Sequence, residues 1–291
     1  MNLLYGANYV IAKGLMPDVI GPSGFILLRV SGAVLLFWMV RLFVKERVRK
    51  EDFARLAVCA LFGVAANQLL FFHGLSRTSP LNSSIIMLTT PILVLGLAAL
   101  VLKERLTKRK AIGVGLGTAG AVTVILSSTG TALEESSPLG DGMILMNAMS
   151  YAVYLVLVKP LMGRYRPITV ITWVFTFGWF YVLPFGYSEF QAVDWGSLVQ
   201  VEVMGLTYVV IGVTFFAYLL NLFAMRSVSP SVVSTYIYLQ PLLAASFAWL
   251  FFQLDILDAK APAISWSLAI AATVIFIGVY LVSFKGRPSQ A

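Results

Sequence analysis

The chain has 291 residues, 59% of them hydrophobic and only 12% charged, with a mean hydropathy of +0.88. Soluble domains carry about 45–50% apolar and about 25% charged residues, so this composition excludes a water-facing globule and points to an all-α integral membrane protein. The net charge of +8 sits in short loops between apolar runs, which argues membrane topology rather than nucleic-acid binding, and the single cysteine, Cys59, excludes an internal disulfide.

A bilayer core of roughly 30 Å needs about 20 apolar residues per helix. Ten segments meet or approach that length, at residues 2–16, 21–43, 53–75, 80–102, 111–127, 139–161, 168–187, 203–225, 230–252 and 264–284. The first is short. No basic lead-in marks it as a cleaved signal peptide, and a native start upstream of Met1 is one reading of its length. It carries Asn8, Tyr9 and Lys13. Lys13 either meets an anionic or zwitterionic substrate or snorkels to the outer interface. Arg29 lies about eight residues into the second span, with no carboxylate in a span interior to neutralise it. Substrate contact and a structural arginine that holds backbone carbonyls are its two readings.

The third span adds Asn67, Gln68 and His73. Asn67 is placed for a helix–helix hydrogen bond or a ligand contact. His73, the only histidine, is either an interfacial side chain or a proton carrier near neutral pH. The fourth span opens at Ser79-Pro80 and contains Met87 and Pro91. Glu104 follows among five basic residues, where it is expected to tie the loop. The fifth span holds Gly113, Gly115, Gly117 and Gly120. Small residues at this spacing permit close helix approach, within the monomer or at a dimer face. In the later spans Asn147, Tyr151, Tyr154, Trp173, Tyr208, Thr214, Tyr236 and Tyr238 offer aromatic walls with polar tips, or belts at the membrane interface.

Two stretches share a pattern 150 residues apart. Ser79-Pro80 is followed by Pro91, and Ser229-Pro230 by Pro241, each after eleven residues. At 1.5 Å per residue the second proline of each pair falls about 16 Å along its helix, near the midplane. There it removes a helix hydrogen bond and frees the carbonyl of Met87 or Ile237, which favours a helix facing protein or water. Five spans precede the acidic loop at Glu134-Glu135 and five follow. Residues 1–133 and 134–291 therefore read as two five-helix repeats of opposite orientation. With both termini in the cytoplasm, the inside loops, the span ends beside them and the C-terminal tail hold 17 of the 21 Lys and Arg residues, and the outside loops only Arg77 and Lys260. The split follows the positive-inside rule.

The pattern Gly74-Leu-Ser-Arg-Thr-Ser-Pro80, then Pro91, then Lys103-Glu104-Arg-Leu-Thr107, then Gly113 and Gly120, resembles the EamA family, ten-helix members of the drug/metabolite transporter superfamily. The opening Tyr5-Gly6-Ala7-Asn8-Tyr9 through Lys13 is similar to that family's first helix. The second half departs from the pattern at Gln253-Leu-Asp255 and at Ala271. The resemblance implies two five-helix bundles around a central cavity, with the fifth and tenth helices peripheral. It also implies a small metabolite as cargo, amino acids and related compounds among them.

No span interior contains Asp or Glu, no phosphate-cradling loop is present, and one His with one Cys cannot build a multi-His or multi-Cys metal site. No cofactor, metal or catalytic centre is expected. The expectation is a permease of the bacterial inner membrane that exports or exchanges a small polar metabolite by alternating access, as a monomer or weak homodimer. A facilitative channel and, further off, a membrane-embedded enzyme are the alternatives. The candidate substrate residues are Asn8, Tyr9, Lys13, Arg29, Asn67, His73, Met87, Pro91, Tyr151, Tyr154, Trp173, Tyr208, Tyr238 and Pro241.

Overall fold

A computed structural model describes residues 3–5, 8, 11, 15–16, 19–77, 83, 86–128, 137–253 and 266–283. Among these the regular structure is entirely helical. We label the helices α1 (Pro22–Arg41), α2 (Lys50–Leu75), α3 (Thr90–Leu102), α4 (Lys108–Ser128), α5 (Pro138–Met162), α6 (Pro167–Gln191), α7 (Gln200–Ser227), α8 (Pro230–Thr235), α9 (Gln240–Gln253) and α10 (Trp266–Ser283). Five of them, α1, α2, α5, α6 and α7, are long and apolar enough to cross a membrane. Residues 3–5, 8, 11 and 15, in the predicted first span, are helical where described.

Helix starts follow local chemistry. Pro22, Pro138, Pro167 and Pro230 each stand in a first turn, where the missing N–H costs nothing. At α5, Ser137 accepts the Gly140 N–H at 3.4 Å and Asp141 sits in the first turn. α3 ends on Lys103 in the left-handed region (φ 54°), so that the Glu104 N–H reaches the Ala98 carbonyl at 3.1 Å.

Pro91 departs from the expected position deep within one helix. It does not interrupt a continuous helix; it stands at the start of α3, after a turn at Leu88 and Thr89. The turn is tight: the Thr89 N–H and Oγ1 both donate to the Ile86 carbonyl, at 2.9 and 2.7 Å. A proline needs no donor in a first turn, so the helix restarts there instead of bending. The ninth predicted span breaks at the matching place. A 3-10 segment, Tyr236–Leu239, separates α8 from α9, whose second residue is Pro241.

Among the described residues, two spans also widen. Leu61–Ala65 in α2 and Val209–Phe216 in α7 are π-helical. Such segments leave carbonyls without the usual i+4 partner and recur at functional sites. α5 reaches one of them in α2, where Ser150 Oγ donates to the Phe62 carbonyl at 2.7 Å; just beyond the segment, Asn147 Nδ2 donates to the Asn67 carbonyl at 2.5 Å.

Among the described residues the packing has two cores. The larger joins α1, α2, α5, α6 and α7 around Phe25, Phe37, Tyr154 and Phe175. α1 packs most extensively on α6, and α2 on α5 and α6. The smaller joins α4 and α10 around Tyr238, Ala271 and Ile275. Here glycines let backbones touch. A Cβ on Gly278 would lie 2.6 Å from both the Gly113 carbonyl oxygen and the Gly117 nitrogen. Gly117 itself makes room for the Tyr238 ring. The glycines of the fifth predicted span thus pack inside the monomer, Gly115 excepted, which faces open space. Large apolar side chains such as Met39, Phe43, Phe180 and Met204 stay exposed on the outer faces, as a lipid-facing surface requires.

Candidate functional site

A cavity of about 120 Å3 opens where α1, α2, α5, α7 and α8 meet the helix breaks. One water needs only ~10–15 Å3 on such a measure. Its wall is built from both halves of the sequence. Arg29 comes from α1; Asn67, Gln68, Phe71 and Phe72 follow the π-helical segment of α2. Met87 stands just before the Leu88–Thr89 turn. Asn147 and Tyr151 come from α5 and Tyr218 from α7, while Val233, Ile237 and Gln240 surround the 3-10 break. Tyr5 and Asn8 complete it.

Arg29 dominates the electrostatics. It is 4% exposed and its Nε donates to Thr214 Oγ1 at 3.0 Å. Thr214 lies in the π-helical segment of α7 and in turn donates to the Val209 carbonyl five residues back, at 2.8 Å. The guanidinium carbon sits 5.4 Å from the Phe25 ring centre and 5.2 Å from that of Phe72. These contacts fix the fork without neutralising it. Among the described residues no carboxylate pairs with Arg29.

The surrounding amides are incompletely bonded. Both amide atoms of Gln68, the Asn147 Oδ1 and the Asn8 Oδ1 are buried without a partner among the described residues. Each unsatisfied group costs about 1–3 kcal/mol of desolvation. Tyr151 is oriented by Asn221, whose Nδ2 donates to the Tyr151 hydroxyl at 2.6 Å. One fixed cation, free amide donors and acceptors, and aromatic walls form a site suited to a small molecule carrying a carboxylate and hydrogen-bonding groups.

Of the candidate substrate residues, Asn8, Arg29, Asn67, Met87 and Tyr151 line the cavity, as do Gln68 and Asn147, also singled out in the sequence. Tyr9 and Lys13 lie outside the described residues, as do Ser79 and Pro80 and the side chain of Pro241. The others sit elsewhere. His73 Nε2 is 2.8 Å from Ser23 Oγ. Tyr154 is buried against Gly63. Trp173 joins Trp38, Phe53 and Phe177 in an aromatic cluster. Tyr208 donates to the Leu4 carbonyl at 3.0 Å. Tyr238 is 2.7 Å from Thr118 Oγ1 in the smaller core, and Pro91 is buried beside the turn. Sequence reading passed over Tyr218 and Gln240. Both carried a signal: Tyr218 stands one helical turn beyond Thr214, and Gln240 precedes Pro241 as Thr90 precedes Pro91.

A second set of polar contacts joins the same two sequence halves at the end that carries the basic loops. Arg164 Nη1 bonds Asp52 Oδ1 at 2.9 Å, and the Tyr165 hydroxyl donates to Asp52 Oδ2 at 2.6 Å while accepting the Arg49 N–H at 3.1 Å. Burial, and then the bond to the Asp52 carboxylate, pushes the Tyr165 hydroxyl above its usual pKa. Glu104, ion-paired with Lys110, accepts from Ser229 Oγ at 2.8 Å and Ser231 Oγ at 3.0 Å at the start of α8. Within the second half, Lys159 Nζ donates to the carbonyls of Met225 and Val228, at 2.5 and 2.7 Å.

Comparison with known proteins gives a consistent answer. The profile of the EamA-like transporter family matches residues 1–126 and 138–284. An uncharacterized transporter of Archaeoglobus fulgidus is 28% identical over 88% of this chain and 84% of its own length. A protein of Streptantibioticus cattleyicolor named as a probable terminal-alkyne amino-acid exporter is 26% identical over 70% of this chain and 68% of its own. A solved crystal structure superposes with a TM-score of 0.74 over 97% of this chain and 94% of that one, at 17% identity, a likeness of fold.

Proposed function

The chain belongs to the EamA-like transporter family, and from that premise we propose that it is a secondary transporter that exports or exchanges a small polar metabolite, an amino acid or related compound, through the central cavity. The observation that carries this reading is the buried Arg29 fork, held by Thr214 and ringed by unpartnered amides. A substrate carboxylate would meet the guanidinium in a charge-assisted pair. A substrate ammonium or hydroxyl would satisfy the Asn8 and Asn147 oxygens. The printed name of the Streptantibioticus relative supports cargo of this kind.

The proposed architecture is ten spans in two inverted five-helix repeats, residues 1–133 and 134–291, in a bacterial inner membrane with cytoplasmic termini. Three correspondences support it. The π-helical segments occupy the third and eighth predicted spans. The helix breaks precede Pro91 and Pro241 in the fourth and ninth. The most extensive pairings, α1 with α6 and α4 with α10, join the second span to the seventh and the fifth to the tenth.

The proposed mechanism is alternating access. The Asp52–Tyr165–Arg164 and Glu104–Ser229–Ser231 contacts close the basic end, and the broken helices supply hinges at cavity depth. Opening that end then costs several charge-assisted hydrogen bonds, which substrate binding offsets by pairing Arg29. The test is counterflow of labelled amino acids in proteoliposomes. A carrier gives saturable counterflow; flux that rises linearly with concentration, with no counterflow, would mark a channel and overturn the proposal.

A further inference from the structure

A second cavity, of about 360 Å3, lies outside the transport site, at the end of the molecule that carries the basic loops. It is framed by the start of α4, the junction of α7 with α8, and the end of α10. From this cavity we infer that the protein holds a phosphate-bearing anion here, the headgroup of an anionic phospholipid.

The lining has three chemistries in one place. Arg109 and Lys110 supply positive charge. Ser227, Ser229 and Ser283 supply hydroxyls. Leu281 and Val282 supply an apolar floor. The surrounding sequence tilts the charge further: Lys103, Arg105, Lys108, Arg109 and Lys110 stand against the single carboxylate of Glu104. A basic pocket between helix ends at the positively charged face of a membrane protein is the setting in which phospholipid headgroups are held. Arg109 also lies 6.0 Å from the ring centre of Tyr280, placing a guanidinium next to an aromatic group on the outer face of α10.

The same helices select a lipid over a soluble phosphate. Ile112 on α4 and Phe276, Ile277 and Tyr280 on α10 are exposed. They form apolar surface running away from the cavity, along which acyl chains would lie while the phosphate meets Arg109. Lys110 links this site to the rest of the molecule, because its partner Glu104 also tethers Ser229 and Ser231 at the start of α8. A phosphate that draws Lys110 from Glu104 weakens that tether, so the lipid acts on the helix whose break lines the transport cavity.

The experiment is thermal unfolding of the full chain in detergent, titrated with short-chain phosphatidylglycerol, short-chain phosphatidylcholine and glycerol 3-phosphate. Phosphatidylglycerol is expected to raise the melting temperature saturably, and phosphatidylcholine to raise it by less than half as much. Arg109→Gln is expected to weaken the phosphatidylglycerol effect at least fivefold. Ser283→Glu, which places a carboxylate in the pocket and leaves Arg109, Glu104, Ser229 and Ser231 unsubstituted, is expected to do the same. Equal stabilisation by glycerol 3-phosphate, lost in both variants, would assign the pocket to soluble phosphates and overturn the lipid. No preference for phosphatidylglycerol, or an effect that survives both variants, would overturn the site. Transport is not the readout, so failure here leaves the proposed function standing.

Discussion

Arg29 and Thr214 are 185 residues apart, yet the arginine Nε donates to the threonine hydroxyl at 3.0 Å in a buried site. The bond joins the first long helix to the π-helical segment of α7. Thr214 is thereby a positioning residue for the guanidinium. Thr214→Val keeps the side-chain shape and removes the acceptor. The expected result is half-saturation for substrate raised about threefold to about tenfold, with the maximal rate changed less, corresponding to about 1 kcal/mol for one hydrogen bond. Thr214→Ser is expected to restore it. Equal kinetics in wild type and Thr214→Val would show that the bond does not position the guanidinium.

The contact of Gly113 with Gly278 makes a stability prediction. A Cβ on Gly278 meets backbone atoms at 2.6 Å, which cannot rotate away. Gly278→Val is therefore expected to destabilise by about 1–3 kcal/mol through overpacking. A methyl group added at Gly115 would meet nothing within 4 Å. Gly115→Ala is expected to be neutral or to stabilise by up to about 1 kcal/mol through helix propensity. Melting temperatures in detergent check both, and a Gly278→Val protein as stable as wild type would contradict the packing.

The Tyr165 hydroxyl has its pKa raised by burial and by the Asp52 carboxylate. Above the ordinary tyrosine pKa of about 10, the unfolded chain releases a proton that the folded chain retains. Stability from this group is fully present below about pH 10 and falls as pH rises through the raised pKa. Melting curves from about pH 8 to about pH 11 are expected to fall more steeply for wild type than for Tyr165→Phe. Parallel curves would remove Tyr165 from the closure of the basic end.

Glu104 holds Lys110, Ser229 and Ser231 together. Glu104→Gln removes the charge from all three contacts, with an expected cost of about 1–3 kcal/mol. Because Cys59 is buried and is the only cysteine, a Val228→Cys reporter reads this region cleanly. Its reaction with a water-soluble maleimide is expected to be several-fold faster in the Glu104→Gln background. An unchanged labelling rate would mean the tether does not restrain α8.

The helices were legible in the sequence because apolar length alone defines them, and α1, α2, α5, α6 and α7 fall where the runs do. The fine structure was only half legible. The proline pair located the breaks, but an isolated proline reads equally as a kink within a helix or as the start of one. The Ile86–Thr89 turn decides it. The π-helical segments have no composition signal, since neither Leu61–Ala65 nor Val209–Phe216 contains a proline. Among side chains, a charge such as Arg29 stands out in an apolar run. Tyrosines do not, because facing decides their role: Tyr151 and Tyr154, three residues apart, differ in that Tyr151 lines the cavity while Tyr154 packs on Gly63.

The proposed transport function turns on Arg29 as the fixed charge that receives the substrate. The decisive test is counterflow of labelled amino acids by Arg29→Gln and Arg29→Lys in proteoliposomes, with melting temperatures confirming that each variant folds. Loss of the forked pair predicts half-saturation raised at least about tenfold in Arg29→Gln, equivalent to about 1.4 kcal/mol, with only partial rescue by the lysine. Saturable counterflow with unchanged half-saturation in a folded Arg29→Gln protein would contradict it.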